Sequence, residues 1–248
     1  MTCRIAVSGK GGTGKTTIAA LLIREIIDAG KGPVLAVDAD PNANLHEALG
    51  LAIRESLGTM REEAFTRSIP PGMSRNEFIR LRFRQVLVES DGLDLIAMGR
   101  PEGTGCYCFA HNLLCDAMRD LEREYPYIVI DTEAGMEHIS RGTVGRPDVL
   151  LIVSDPGARG LRTAARIREI ALSLGLSPQS MHLVINREKD EGNTALPGDP
   201  PRMGTVPEDD AITRADLQGI PITSVPAQSP ARQAVRMIAT RVMDLCMR

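Results

Sequence analysis

The apolar run Ile5-Ala6-Val7 passes almost directly into Gly9-Lys10-Gly11-Gly12-Thr13-Gly14-Lys15-Thr16-Thr17. Glycines at this density let successive backbone N–H groups converge on an anion. The pattern G-x-x-x-x-G-K-[ST], met by Gly9, Gly14, Lys15 and Thr16, is one in which they wrap a phosphate. It constrains the fold because it works where a strand becomes a helix. A helix from about Thr16 to Ala29 would then offer its N-terminus to the same anion. Lys15 is expected to reach the outer phosphates, and the Thr16 hydroxyl to ligate Mg²⁺. A second lysine, Lys10, opens the loop, and one nucleotide rarely needs two.

Short apolar runs recur at Arg4–Ser8, Val34–Asp38, Leu93–Met98, Tyr127–Asp131, Val149–Ser154 and His182–Asn186. Their length suits strands buried on both faces. Helical patterns separate them at Thr16–Ala29, Phe78–Val88, His111–Glu124, Gly160–Leu174 and Pro230–Met247. This alternation predicts an α/β fold: right-handed crossovers building a mostly parallel sheet covered by helices on both faces. Ligands of such sheets bind outside the carboxyl ends of the strands. Gly9, Asp38, Asp40, Asp131 and Asn186 each close or follow a strand. The 248 residues, 43% hydrophobic and 25% charged, suit one domain over 1–248. With no Trp and 3% aromatics, its core is expected to be aliphatic. Residues 53–77 and 188–201 read as irregular, the second as an exposed loop rich in proline.

A formal charge of −3 offers no basic face for nucleic acid, and no apolar stretch approaches a membrane span, so neither is an expected partner. The first strand begins at once, leaving no room for a signal peptide, and a cytoplasmic location is expected. Of the five cysteines, Cys3, Cys106, Cys108, Cys115 and Cys246, an odd number in that compartment favours thiols or metal over a disulfide framework. Cys3 at a strand start and Cys246 in an apolar helix read as packing residues, and Cys115 as core. Cys106-Tyr107-Cys108 stands apart, in the glycine-rich stretch Gly103-Thr104-Gly105. Two thiolates make half a tetrahedral site, which a symmetric dimer would complete for Zn²⁺ or another thiophilic ion. Two ordinary thiols in a glycine-rich loop are the alternative.

Acidic residues complete the pattern. Ile128-Val129-Ile130-Asp131 is an apolar strand ending in a carboxylate, the arrangement that holds an acid beside Mg²⁺, and Gly135 frees the following loop. Val37-Asp38-Ala39-Asp40-Pro41-Asn42 ends the second strand. Asp38 and Asp40 there fit either a turn and helix cap or a site for a positioned water. Asn186 fits a turn equally well.

Lys-Gly-Gly-x-Gly-Lys-Thr-Thr resembles the deviant Walker A loop of the SIMIBI class, which includes the nitrogenase iron protein, septum-positioning and plasmid-partition ATPases, and metal-cofactor maturation ATPases. The resemblance implies a homodimer that sandwiches nucleotide, with Lys10 crossing to the partner's nucleotide. It implies that Asp40 orients the attacking water and that Asp38 sits near the magnesium shell. Asn186 and Arg187 resemble the pair that contacts the base, and Gly204 to Asp209, with Val206, Pro207 and Glu208, the segment lying against adenine. No Asn-Lys-x-Asp guanine signature is present, which favours ATP and ADP over the guanine nucleotides.

More narrowly, Gly-x-Gly-Cys-Tyr-Cys followed by Asp-Thr-Glu-Ala-Gly-x-Glu-His is similar to the CooC-type nickel-insertion ATPases. These mature carbon monoxide dehydrogenase, and close relatives serve acetyl-CoA synthase. The resemblance covers essentially the whole chain. It implies that Cys106 and Cys108 bind Ni²⁺, or Zn²⁺ in its absence, across the dimer interface, with one of those enzymes as client. His111 lies near the pair, and Glu137 and His138 follow the Asp131 strand; a solvated helix start is the plainer reading of the last two. Two other functions share the early lysine. A partition or positioning ATPase would act on DNA or membrane, and the C-terminal segment does carry Arg232, Arg236, Arg241 and Arg248. An electron-transfer ATPase would hold an iron–sulfur cluster on two well-separated cysteines, whereas this pair is adjacent.

Overall fold

A computed structural model describes residues 2–60, 69–99, 121, 124–133, 146–188 and 200–247. Among them run β1 (Cys3–Gly9), α1 (Lys15–Asp28), β2 (Val34–Asp38), α2 (Leu45–Leu49), α3 (Arg75–Val86), β3 (Val88–Ser90), β4 (Leu93–Ala97), β5 (Tyr127–Asp131), β6 (Val149–Ser154), α4 (Ala158–Ser173), β7 (Met181–Glu188), β8 (Arg202–Pro207), α5 (Asp210–Gln218) and α6 (Pro230–Cys246). The strands form one eight-stranded sheet in the order β3-β4-β2-β5-β1-β6-β7-β8. Every pairing is parallel except that of the edge strand β3 with β4. The α/β fold read from the sequence is the fold observed.

The central strands are buried along their whole length, so they read as unbroken apolar runs and not as alternations. Ile5 and Val7 of β1 face one core layer with Ile18, Leu22 and Ile26 of α1 and Val235, Ile238 and Val242 of α6. Ala6 faces the other with Ile128, Ile130, Leu150 and Ile152, under Leu161, Ala164 and Ile167 of α4. Gly204 lets α6 lie directly on β8, since a Cβ there would come within 2.7 Å of Ile238.

Several boundaries differ from the sequence expectation. The helix expected at Phe78 begins at Arg75, because Ser74 and Glu77 form a capping box: Glu77 N–H donates to Ser74 Oγ and Ser74 N–H to Glu77 Oε2. The helix also ends earlier, and Val88 pairs with Leu95 as an edge strand. The strand expected over His182–Asn186 runs from Met181 to Glu188. Both β8 and α5 lie where no element was expected. Proline and glycine interrupt the apolar period there, and pairing with β7 supplies the order that the local sequence lacks. Residues 111–120 and 122–123 of the helix expected over His111–Glu124, and 189–199 of the proline-rich loop, lie outside the described residues.

One expectation is overturned. Cys3 and Cys246 are joined as a disulfide rather than serving as separate packing residues. They are 243 positions apart in sequence, yet α6 runs back over the sheet and brings its last turn to the start of β1, with a Cα–Cα distance of 5.6 Å. That juxtaposition is a property of the tertiary path and not of any local pattern.

The same helix is clasped to α1 by ion pairs. Arg232, 5% exposed, donates from Nε to Glu25 Oε1 at 2.6 Å, from Nη2 to Asp28 at 2.5 Å, and from Nη1 to the Val225 carbonyl at 2.7 Å. Arg236 Nε donates to the other Glu25 oxygen at 2.6 Å. Glu25 is itself 3% exposed, so its charge depends on these partners. Arg232→Ala should therefore lower unfolding free energy by about 3–5 kcal/mol in urea titrations, the usual cost of orphaning a buried charge. The double variant Glu25→Leu, Arg232→Met should recover most of that loss.

Candidate nucleotide-binding site

Parallel registry sets the site. Val7 lies opposite Asp131, and Asp38 opposite Asp131, so β1, β2 and β5 end side by side with the glycine loop beyond them. Gly14 caps α1 at φ 88°, a left-handed conformation, and a Cβ there would lie 2.3 Å from Asn186 Nδ2. Only glycine meets both conditions. Gly9 is likewise pressed on β6, where a Cβ would approach the Val153 carbonyl oxygen to 2.2 Å. Thr13 N–H and Oγ1 both donate to the Lys10 carbonyl, at 3.4 and 2.8 Å. Lys15 is buried, with Nζ 3.5 Å from that same carbonyl. The Lys10 side chain is exposed, as are Gly11 and Gly12.

The acids fall into two roles. Asp131, 2% exposed, accepts from Thr16 Oγ1 at 2.5 Å through Oδ2, while Oδ1 has no hydrogen-bond partner among the described residues. Burial pushes its carboxyl up to about 7, against the Thr16 hydrogen bond, with the nearby Asp38 adding to the rise. A buried, partly unpartnered carboxylate beside a threonine hydroxyl is a pair of hard oxygen donors suited to Mg²⁺. Asp38 is fully buried, and both its oxygens accept from backbone N–H groups, of Leu45 at 2.8 Å and Asp40 at 3.2 Å. Burial raises its carboxyl to about 6. It thereby folds the segment that carries Asp40. Asp40 is half-buried, and its Oδ1 accepts from Asn42 N–H at 2.8 Å and Asn42 Nδ2 at 3.0 Å. No described residue donates to Asp40 Oδ2.

Beside the loop opens a cleft of about 340 Å³. Thr17 of α1 lines one wall, and Asn186, Arg187, Val206, Pro207 and Glu208 line the floor. The residues read from sequence as base-contacting therefore come together at one place. Asn186 also ties the floor to the loop: Nδ2 donates to the Thr13 carbonyl at 2.8 Å, and Arg187 Nη1 donates to that of Gly12 at 3.2 Å. Arg187 sits at φ 60°, where the β7–β8 register shifts, and this left-handed residue turns its side chain toward the loop.

Sequence reasoning missed the rest of the lining, among it Ile18 and Leu21 of α1, Ile212 and Asp216 of α5, and Ala231 of α6. Asp209, read from sequence only as the end of the segment against adenine, joins two helix N-termini. Its Oδ1 accepts from Ala211 N–H at 2.8 Å, and its Oδ2 from Ser229 Oγ at 2.5 Å and Ala231 N–H at 3.0 Å. Burial opposes its ionisation, but these hydrogen bonds outweigh that and hold its carboxyl below the usual range. A capping aspartate before Asp210 was legible in the sequence; its reach to α6 was not. Cys106, Cys108, Cys115, His111, Glu137 and His138 lie outside the described residues.

Residues 5–222 match the family described as the CobQ/CobB/MinD/ParA nucleotide binding domain. The chain is 37% identical over 249 residues to an uncharacterized ATP-binding protein of Methanocaldococcus jannaschii, covering 97% of this chain and 98% of that one. It is 34% identical over 241 residues to the carbon monoxide dehydrogenase accessory protein CooC of Rhodospirillum rubrum, covering 88% of each. In fold it is similar to the septum site-determining protein MinD of Pyrococcus horikoshii, solved with Mg-ADP, with a TM-score of 0.73 at 23% identity, covering 99% and 97% of the two chains.

Asp131 gives the site a testable pH signature. Its carboxyl is raised in the folded protein from 3.8 to about 7, so the ionised form costs stability above that pH, and the cost fades as the pH falls toward the unfolded value. Asp131→Asn should raise the melting temperature of the nucleotide-free protein at about pH 8, with the gain shrinking toward about pH 5. The same variant should lose ATP hydrolysis. Melting curves across pH, beside a phosphate-release assay, check both.

Proposed function

The chain belongs to the CobQ/CobB/MinD/ParA family of nucleotide-binding domains and is an ATPase, and on that premise we propose that it is a nucleotide-driven dimeric metallochaperone. Its cargo would be nickel, delivered during maturation of carbon monoxide dehydrogenase or acetyl-CoA synthase. The observation that carries this reading is the 34% identity, over 88% of both chains, with a carbon monoxide dehydrogenase accessory protein. The Cys106-Tyr107-Cys108 pair supplies the chemistry such a role needs. Two thiolates per chain become four in a symmetric dimer, a tetrahedral site for Ni²⁺ or Zn²⁺ as transported substrate.

The residues divide the work as follows. Backbone N–H groups from Gly11 to Thr16 and the α1 N-terminus receive the phosphates, with Lys15 on the outer ones. Thr16 and Asp131 would hold Mg²⁺, with Asp38 and Asp40 alongside, and the ion would neutralise charge on the phosphates. The mixed polar and apolar cleft takes the base, with Ile18, Leu21, Val206 and Ile212 as its apolar surface, while Asn186 and Arg187 keep its floor attached to the loop. Asp40, whose Oδ2 no described residue engages, orients the attacking water. Lys10, exposed at the loop's edge, reaches the partner's nucleotide. Closure on ATP would then bring the two cysteine pairs together, so that metal affinity and nucleotide state are reciprocally coupled.

A positioning or partition ATPase is the second reading, favoured by the MinD and ParA members of the family. Among the described residues no helix is long and apolar enough to cross a membrane. ATP-dependent co-sedimentation with liposomes or DNA would support that second reading.

Two variants test the first. Cys106→Ser, Cys108→Ser should lose Ni²⁺ and Zn²⁺ binding in equilibrium dialysis while ADP affinity stays within about twofold. Unchanged metal stoichiometry would sink the site. Lys10→Ala should abolish ATP-driven dimerisation and slow hydrolysis by about 10²-fold or more, as loss of a transition-state donor does.

A further inference from the structure

We propose that Cys3 and Cys246 form a redox-exchangeable staple, a thiol modification site that controls how firmly α6 closes over the nucleotide cleft. The two residues stand at the far ends of the two elements that build the site. β1 starts at Cys3 and ends at Gly9, the first residue of the glycine loop. α6 ends at Cys246 and begins at Pro230, beside the Ser229 and Ala231 groups that hold Asp209 in the cleft wall. The disulfide thus joins the loop strand and the wall helix at the end of each that lies away from the ligand.

Three observations make this bond exchangeable and not merely structural. Cys3 is 5% exposed and belongs to the core layer, whereas Cys246 is only partly buried, in the last turn of α6, and the next residue, Met247, is 66% exposed. Terminal helical turns open at little cost, so an incoming thiolate has one accessible sulfur. Nor does α6 depend on the bond to stay folded. Val235, Ile238, Ala239 and Val242 are all at most 1% exposed, and Arg232 clasps α1. Opening the staple therefore leaves a folded protein in which packing and the Arg232 clasp alone hold α6, and with it the cleft wall at its N-terminus, which is what distinguishes a switch from a denaturing cut.

The chemistry balances without a metal. A small thiol R–SH, as thiolate, attacks Cys246 Sγ, giving a Cys246–S–S–R mixed disulfide and releasing Cys3 as a thiol. A second R–SH displaces Cys246, giving two protein thiols and one R–S–S–R. Oxidation by a small-molecule disulfide such as glutathione disulfide runs the same steps in reverse.

The full chain tests this directly. Protein equilibrated with glutathione disulfide, or with dithiothreitol, is digested without reduction and mapped by mass spectrometry. In parallel, hydrogen exchange of α6 and ADP affinity are measured in each state. A linked Cys3–Cys246 peptide is expected only after oxidation. Reduction should speed amide exchange over the last two turns of α6 by about tenfold and weaken ADP binding about fivefold, a typical inter-site coupling. Cys246→Ser, and separately Cys3→Ala, should show the reduced values and ignore dithiothreitol. Absence of the linked peptide would overturn the proposal. So would identical exchange and affinity in the two states, or a Cys246→Ser variant that still responds to reductant, which would place the response on other thiols. The exchange readout does not depend on nucleotide, so failure of the nucleotide-site reading would show separately, as no ADP binding in either state.

Discussion

Everything at the ligand end of this fold depends on two carboxylates held against their own solvation. Asp38 and Asp131 sit opposite one another on adjacent parallel strands, fully or almost fully buried. Burial raises both above the usual carboxylate range. Such charges destabilise a folded chain unless something opposes them. Here the opposition is divided. Asp38 is satisfied by backbone N–H groups and thereby shapes the Asp40 segment. Asp131 keeps one oxygen without a partner among the described residues, while the other accepts from Thr16 of the loop. In the proposed function, Mg²⁺ bound with nucleotide would offset the cost stored at Asp131, so the same feature that weakens the apo fold would prepare the site.

A second layer of order couples the glycine loop to the cleft beside it. Asn186 and Arg187 bond to carbonyls of the loop itself, and Asp209 binds the N-termini of α5 and α6 to one another. The cleft walls come from α1, near the start of the chain, and from α5 and α6, near its end, and the α1–α6 contact includes the buried Glu25–Arg232 pair. Ligand contact and fold stability are therefore carried by neighbouring residues on the same helices. Replacing the ion pair by apolar groups tests stability without touching the cleft, because Glu25 and Arg232 do not line it.

Much of this was legible in the sequence, for definite reasons. The loop, the acids ending β2 and β5, and Asn186 at β7 are local patterns: glycine spacing, and apolar runs that stop at a polar residue. What escaped has no local pattern. The Cys3–Cys246 disulfide arises from the return path of α6 across the sheet. Asp209 reads as a cap for its own helix, and nothing in Pro207-Glu208-Asp209 signals Ser229. β8 has too little alternation to be read as a strand and exists because β7 offers it an edge. The early start of α3 was readable from Ser74 and Glu77, a capping pattern outweighed by the neighbouring prolines and glycine.

The proposed function requires that nucleotide assemble a shared thiolate site from two chains. Nickel stoichiometry by equilibrium dialysis, with molar mass by light scattering on the same samples, tests this with and without ATP. One ion per two chains in an ATP-bound dimer, with much weaker metal binding to nucleotide-free protein, is the predicted result. One ion per monomer, or metal binding indifferent to ATP and to oligomeric state, would contradict it.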